Sequence, residues 1–226
     1  MTMLLRTILD RVLAAAGLLA VSPLIAAAAI AIRLEDGGPI FFRQRRIGRA
    51  GVPFALWKLR SMRPSNAATT PQITAGGDPR CTRTGLFIRR YKLDELPQLW
   101  NVLRGDMSLI GPRPEVPRYV DLNDPRWRQV LSVRPGISDL ATLIYRDEEQ
   151  ILAAAADPDQ YYRQTVLPDK LELNRLYLSQ RTLWTDWRLI LLTIQCSFWP
   201  AGFDSERIRR SFLKFPAARV SSAGSV

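Results

Sequence analysis

The segment "VLAAAGLLAVSPLIAAAAIAI", residues 12–32, decides how the protein is built, because it contains no charged side chain. As an α-helix, its 21 residues would extend over about 31 Å, which is just enough to cross the hydrocarbon core of a bilayer. A cleaved signal peptide usually has a shorter apolar region, although the alanines here imitate a cleavage site, so cleavage stays an alternative. The segment therefore predicts attachment to a membrane.

The middle of this segment predicts an unusual topology. Pro23 cannot donate a helical hydrogen bond, and the hydroxyl of Ser22 can satisfy a carbonyl on the preceding turn. Positive charge favours the cytoplasm, and arginines flank the segment on both sides: Arg6 and Arg11 before it, and Arg33, Arg43, Arg45, Arg46 and Arg49 after it. A helix broken at Ser22-Pro23 that enters and leaves through one leaflet satisfies both flanks. A Pro-kinked spanning helix remains the alternative on physical grounds.

The amino-acid composition excludes several kinds of catalytic and metal site. The chain of 226 residues has a formal charge of +11 and contains no histidine. Net positive charge favours an anionic partner: nucleic acid, an acidic lipid surface or a phosphorylated small molecule. The absence of histidine excludes Ser-His and Cys-His nucleophile pairs and the HExxH zinc site. The two cysteines, Cys81 and Cys196, fit neither a zinc site nor a disulfide framework.

The remaining sequence predicts an α+β, mostly helical fold with a small β-hairpin. Residues 37–62 form two short strands around a basic turn, and residues 64–80 form a mobile loop. Helical spacing predicts a helix over residues 94–104. Further helices are predicted to begin at Asp124-Pro125, at Asp157-Pro158 and at Pro168. An apolar run over residues 186–199 ends the domain.

This pattern divides the chain into three parts. Residues 1–35 form the membrane helix, residues 36–203 form a domain at the membrane interface, and residues 204–226 form a partly disordered tail. Interfacial helices are expected around the functional site of this domain. The two tryptophans of the run at 186–199 suit either a core or a membrane interface.

Two adjacent carboxylates stand in the stretch "LDELPQLWNVLRGDMSLIGPRPE", residues 93–115. With Asp94 as the N-cap of the predicted helix, Glu95 takes the first helical position, and both are favoured as ions. Neighbouring residues on a helix do not share a face, so one carboxylate can attack while the other holds Mg²⁺. Nearby arginines and lysines suit phosphate, which indicates phosphoryl transfer. A plain helix cap is the simpler alternative.

Four stretches carry a family resemblance: "FRQRRIG" (42–48), "FALWKLRSM" (54–62), "TRTGLFIRRYKLDELPQLWNVLRGDMSLIGPRPE" (82–115) and "VRPGI" (133–137). Together they resemble the bacterial sugar transferase family, the monotopic phosphoglycosyl transferases that begin glycoconjugate assembly. The resemblance covers most of residues 1–200. It implies a re-entrant membrane helix broken at Ser22-Pro23, with the catalytic domain on the cytoplasmic face of the inner membrane. It also implies a minimal form, because larger relatives carry additional transmembrane helices.

The same resemblance implies a two-step reaction. Asp94 attacks a nucleoside diphosphate sugar, expected to be a UDP-sugar, and releases a nucleoside monophosphate. Polyprenyl (undecaprenyl) phosphate then takes the sugar phosphate from the enzyme. Glu95 matches the Mg²⁺ ligand, and basic positions bind substrate phosphate, namely Lys58, Arg89, Arg113 and Arg146. Pro112 and Pro114 stiffen the loop that holds Arg113.

The sequence departs from the family after "VRPGI", where "SDLATLIYR" replaces the common Thr-Gly-Trp-Ala-Gln-Val-Asn-Gly-Arg and keeps Ala141 and Arg146. The identity of the sugar is therefore left open. The expected partners are the nucleotide sugar, polyprenyl phosphate and membrane lipid, with a homodimer left open and no nucleic acid. A non-catalytic scaffold that binds anionic lipid is the alternative function. A membrane-tethered nucleic-acid binder has only the charge in its favour, since it lacks a recognition motif.

Overall fold

A computed structural model of the protein describes residues 2–63, 78–198 and 203–213. The described chain is mostly helical and contains the predicted β-hairpin, together with a second pair of short strands that was not predicted. The strands are β1 Phe41–Ile47, β2 Pro53–Leu59, β3 Ser108–Ile110 and β4 Gly136–Ser138. The helices are α1 Thr2–Asp36, α2 Arg83–Arg90, α3 Gln98–Arg104, α4 Pro125–Val130, α5 Leu140–Ile144, α6 Glu148–Ala153, α7 Pro158–Tyr161, α8 Leu167–Ser179, α9 Leu183–Phe198 and α10 Ser205–Leu213.

Helix α1 continues through Ser22 and Pro23, so the predicted interruption is not seen as an end of the helix. The hydrogen bonding explains the continuity. Pro23 has no N–H to donate to the carbonyl of Leu19, four residues earlier, and the hydroxyl of Ser22 donates to that same carbonyl at 2.8 Å. By length and composition α1 is apolar enough to cross a membrane.

Both ends of α1 are tied to the same folded domain. Near its N-terminus, Arg6 lies 3.1 Å from Asp186 of α9, and a guanidinium nitrogen of Arg134 donates to the hydroxyl of Thr7 at 3.0 Å. At the other end, the carboxylate of Glu35 accepts hydrogen bonds from the first backbone N–H groups of α2, at 2.7 and 3.0 Å. The helix therefore packs along the domain instead of projecting from it by one end.

The β-hairpin lies between α1 and the centre of the domain. Its strands pair antiparallel, with Arg43 opposite Trp57 and Phe42 opposite Lys58. Consecutive residues of β2 point to opposite faces, so Trp57 and Lys58 face different surroundings. The outer edge of β2 is covered by Asn101 of α3, which accepts from the backbone N–H of Trp57 at 3.1 Å and donates to the carbonyl of Ala55 at 2.8 Å.

Asn101→Leu is expected to lower the free energy of unfolding by about 2–3 kcal/mol. The side chain of Asn101 is fully buried, and its loss would leave two backbone groups of β2 without hydrogen-bond partners. For a domain of this size, that corresponds to a fall of about 5–10 °C in the unfolding midpoint. Thermal unfolding in detergent micelles, followed by near-UV circular dichroism, measures it. The exposed Asn123→Leu serves as the control. Equal midpoints for the two variants would contradict the role given to Asn101.

Strands β3 and β4 pair in parallel and fix the loop between Gly111 and Pro114. The two chains approach so closely at this point that a Cβ on Gly136 would lie 2.1 Å from the backbone nitrogen of Gly111. The carbonyl of Pro112 accepts from the N–H of Gly136 at 3.0 Å, and the carbonyl of Pro114 accepts from Arg46 at 2.8 Å. The Pro-Arg-Pro loop is thus held on both sides of Arg113.

The remaining helices form the apolar core behind this loop. Asp124 and Asp157 cap α4 and α7 as predicted, and Pro168 lies in the first turn of α8. Helix α10 packs against α5 and α8 and buries Phe212, so the folded domain extends beyond the predicted boundary at residue 203. Most of the predicted loop at 64–80 and the end of the tail lie outside the described residues.

Candidate active site

The carboxylate pair lies in a tight turn, not at the start of a helix. Lys92 adopts a left-handed backbone conformation (φ 57°), a 3₁₀ turn covers Leu93–Glu95, and α3 begins at Gln98. The prediction that Asp94 caps a helix over 94–104 is therefore wrong. The backbone hydrogen bonds here join residues three apart, from the N–H of Leu96 to the carbonyl of Leu93 and from the N–H of Leu99 to the carbonyl of Leu96, so the α-helical ladder does not extend back to the pair.

Asp94 is buried, with 5% of its surface exposed. Its Oδ2 lies 3.8 Å from the Nζ of Lys58, while its Oδ1 has no hydrogen-bond partner among the described residues. Burial raises the pKa of Asp94 above its ordinary value, and Lys58 offsets this only in part. The carboxylate thus has one oxygen near a cation and another that its protein neighbours leave unsatisfied, in surroundings that are charged and not apolar.

Glu95 has the opposite electrostatic setting. Arg113 holds it in a two-point pair, in which Nη1 lies 3.2 Å from Oε2 and Nη2 donates to Oε1. The Nζ of Lys58 also lies 3.3 Å from Oε1. Burial alone would raise the pKa of Glu95, but Arg113 and Lys58 outweigh it and hold the pKa well below its usual value. Two neighbouring carboxylates therefore differ sharply in proton affinity, which suits different roles.

Lys58 and Arg113 connect the hairpin and the Pro-Arg-Pro loop to this pair. Burial lowers the pKa of Lys58 against the attraction of Glu95 and Asp94. Burial would also lower the pKa of Arg113, but the charge of Glu95 raises it. The backbone N–H of Arg113 donates to the fully buried carboxylate of Asp139 at 2.8 Å. The guanidinium is thereby fixed through both its side chain and its backbone.

The structure places the two other predicted phosphate-binding residues differently. Arg89 is close enough for its charge to lower the pKa of Asp94, but its guanidinium pairs with Glu149 of α6. Arg146 lies 3.5 Å from Asp147 and stacks over the ring of Phe203. The core of the site is thus Asp94, Glu95, Lys58 and Arg113, with Arg89 beside it.

The donor chemistry of the pair fits Mg²⁺. This ion needs only one or two protein carboxylates, because it keeps water and binds substrate phosphate. The carboxylate of Glu95 can supply one of them, while the Oδ1 of the adjacent Asp94 stays without a partner among the described residues. Among the described residues, no group of three or more Asp, Glu, Cys or His side chains could enclose an ion. Glu95 would have to share its oxygens between the metal and its two cations.

Sequence reasoning missed three residues that position the site. Asp139 could have been found from the sequence, because aspartate is a typical helix N-cap. In the structure it caps α5, and its side chain accepts a hydrogen bond from the N–H of Thr142. Asn101 and Glu149 had no such signal. Their partners lie 44 and 60 positions away along the chain, and only the fold brings them together.

Comparison with known proteins finds one family model and several relatives. A sequence model described as bacterial sugar transferase matches residues 1–200. A UDP-N-acetylgalactosamine-undecaprenyl-phosphate N-acetylgalactosaminephosphotransferase from Aeromonas hydrophila is 40% identical over 77% of this chain, which spans 39% of that relative.

Two relatives named UDP-glucose:undecaprenyl-phosphate glucose-1-phosphate transferase are also similar. The one from Caulobacter vibrioides is 37% identical over 84% of this chain and 68% of its own length. The one from Escherichia coli is 35% identical over 84% of this chain and 39% of its own length. The chain therefore spans well under half of two of these three relatives.

Proposed function

The chain belongs to the bacterial sugar transferase family, and we propose that it transfers a sugar phosphate from a nucleoside diphosphate sugar to polyprenyl phosphate. The relatives are named for UDP-sugars and undecaprenyl phosphate, which favours those substrates here. The observation that carries the proposal is the buried pair itself. One carboxylate keeps an unpartnered oxygen, while the other is held with Lys58 and Arg113.

In the first step, a carboxylate oxygen of Asp94 attacks the β-phosphorus of the nucleotide sugar. An oxygen–phosphorus bond to Asp94 forms, the bond between the β-phosphorus and the bridging oxygen breaks, and the nucleoside monophosphate leaves with the electron pair. In the second step, a phosphate oxygen of the polyprenyl phosphate attacks the same phosphorus. The bond to Asp94 breaks, which restores the carboxylate and gives a polyprenyl diphosphate sugar.

The cations of the site account for phosphate binding and for access to Asp94. The contact of Lys58 with Asp94, at 3.8 Å, is longer than a hydrogen bond, so a substrate phosphate can take the ammonium group and uncover the nucleophile. Arg113 is fixed by Glu95 and Asp139, so its charge is preorganised for the transferring phosphoryl group. When bound at Glu95, Mg²⁺ would neutralise charge on the diphosphate.

The surface of the domain supports the proposal that the protein is a monotopic protein of the inner membrane. Both ends of α1 are tied to one domain, which favours a re-entrant topology with both ends on the cytoplasmic side. Large apolar side chains are exposed along one face of α9, as expected of a helix at the interface; they are Trp184, Trp187, Leu191 and Ile194. In this position the enzyme would catalyse the first membrane step of polysaccharide or glycoconjugate synthesis.

A panel of UDP-sugars tests the reaction. The full chain, with Mg²⁺ and one UDP-sugar but no acceptor, is expected to release about one equivalent of UMP and stop, as covalent catalysis requires. Added polyprenyl phosphate should start continuous release. A scaffold that only binds lipid would release no UMP with any sugar, and that result would refute the proposal.

Glu95→Gln is expected to weaken Mg²⁺ binding, because it removes the charge but keeps the shape of the side chain. The Mg²⁺ concentration for half-maximal activity should rise by about tenfold or more. Electron paramagnetic resonance of bound Mn²⁺ gives the affinity without turnover. The control is Glu172→Gln, whose side chain is exposed beside Arg175. An unchanged affinity for Mn²⁺ would show that Glu95 is not a ligand.

A further inference from the structure

An apolar cavity of about 260 Å³ lies between α1, the β-hairpin and the start of α3. Six residues line it: Leu18, Ile25, Phe41, Trp57, Pro97 and Trp100. Leu18 and Ile25 lie seven positions apart on one face of α1, on either side of Pro23. Ala14 and Ala28, beyond them on either side, are buried against the domain. The cavity therefore sits beneath the middle of the predicted membrane helix.

We propose that this cavity binds the first five-carbon units of the polyprenyl acceptor. The inference rests on the proposed function and adds to it the place where the lipid chain is held. The lining is almost entirely apolar, so the cavity suits hydrocarbon. A cavity of about 150 Å³ can hold benzene, so the larger volume here is enough for one or two isoprene units.

The position of the cavity fits an amphiphile whose phosphate must reach Asp94. Trp57 faces the cavity on one side of β2, and Lys58, the next residue, faces the carboxylate pair on the other. Pro97 also lines the cavity, three residues after Asp94. A lipid chain held here would place its head group at the edge of β2, beside Lys58, whose ammonium group lies 3.8 Å from Asp94.

Charge at the rim favours an acidic head group. Arg43 lies opposite Trp57 in the hairpin, and its guanidinium stacks 5.2 Å from the centre of the Trp57 ring. Arg43 is exposed and forms no ion pair in the part of the chain that the structure describes. An apolar cavity with a cation at its edge is complementary to a lipid phosphate, whereas the sugar nucleotide has no hydrocarbon to place there.

The test is a series of prenyl phosphates of one, two, three and more units. With the wild type, we expect KM for the acceptor to fall by about tenfold or more between one and two or three units. Ile25→Trp, which fills the cavity, should lose that dependence on chain length. The control is Leu19→Trp on the same helix, because Leu19 is 78% exposed and points away from the domain; it should keep the wild-type series.

Two outcomes would overturn the proposal. A correctly folded Ile25→Trp that keeps the full chain-length dependence would overturn it; if that variant does not fold, Leu18→Phe applies the same test from the neighbouring wall. Equal fluorescence responses of Trp57 and Trp100 to a prenyl phosphate and to phosphatidic acid would also overturn it, since the cavity would then take any lipid chain. Release of UMP by the wild type without acceptor tests the proposed function separately.

Discussion

Asp94→Asn is expected to abolish turnover, with a loss of at least about 10⁴-fold, because the amide cannot form the bond to phosphorus. The covalent phosphosugar adduct should disappear as well. Folding should be preserved, since asparagine has the same shape and burial already disfavours the charged form of Asp94. Intact-protein mass spectrometry after incubation with the UDP-sugar measures the adduct, and UMP release measures the turnover.

The matched control for this change is Asp121→Asn on an exposed loop, which should leave both measurements unchanged. An adduct that survives in Asp94→Asn would remove the nucleophile assignment while leaving the family membership intact. Near-UV circular dichroism shows whether Asp94→Asn is folded, and it therefore distinguishes a lost nucleophile from a lost fold.

Arg113→Met is the second change with a large expected effect. Activity should fall by about 10²–10³-fold, because a fixed cation at the transferring phosphate is lost. Stability should fall by about 2–4 kcal/mol, since Glu95 keeps only Lys58 as a partner; the figure is below that of a fully buried pair because the Arg113 side chain is 26% exposed. Kinetics and thermal unfolding measure the two effects.

The stability loss in Arg113→Met should depend on pH in a defined direction. In the wild type, the pKa of Glu95 is held well below its ordinary value of 4.5. This contribution to stability is complete above 4.5 and is lost as the pH falls through the lower, folded-state pKa. The difference between wild type and variant should therefore be largest near neutrality and shrink in acid.

Arg113→Lys and Arg104→Met serve as controls for that prediction. Lysine keeps the charge but not the two-point geometry, so it should restore stability more than activity. Arg104 is 56% exposed and pairs with Asp106 at 3.6 Å, so its loss should change neither. A stability deficit that does not vary with pH would show that the Glu95 pair does not account for it.

The sequence was informative where the signal is local. The hairpin follows from aromatic and aliphatic residues on both sides of a basic glycine turn, and α4, α7 and α8 follow from prolines in their first turns. The turn at Leu93–Glu95 was mistaken for helix because the leucine spacing continues across it. The backbone there is hydrogen-bonded three residues apart instead of four, which the spacing of side chains does not reveal.

The site could be predicted only in part for a different reason. The chemistry of Asp94 and Glu95 followed from a resemblance, since an adjacent acidic pair is usually no more than a cap. Their contrasting pKa values depend on burial and on partners from the hairpin and from the Pro-Arg-Pro loop. The contact between Arg113 and Asp139 spans 26 positions of the chain, and no local pattern announces it.

The two ties of α1 also impose an order of events during synthesis. The tie of Glu35 to α2 spans 48 positions, so it can form while most of the chain is still on the ribosome. The tie of Thr7 to Arg134 spans 127 positions, and the partner of Arg6 lies later still. The first residues to be made are thus among the last to be secured. Until then, the front half of the helix has only the contacts of earlier residues, such as the cluster of Ala14 with Leu56 and Val102.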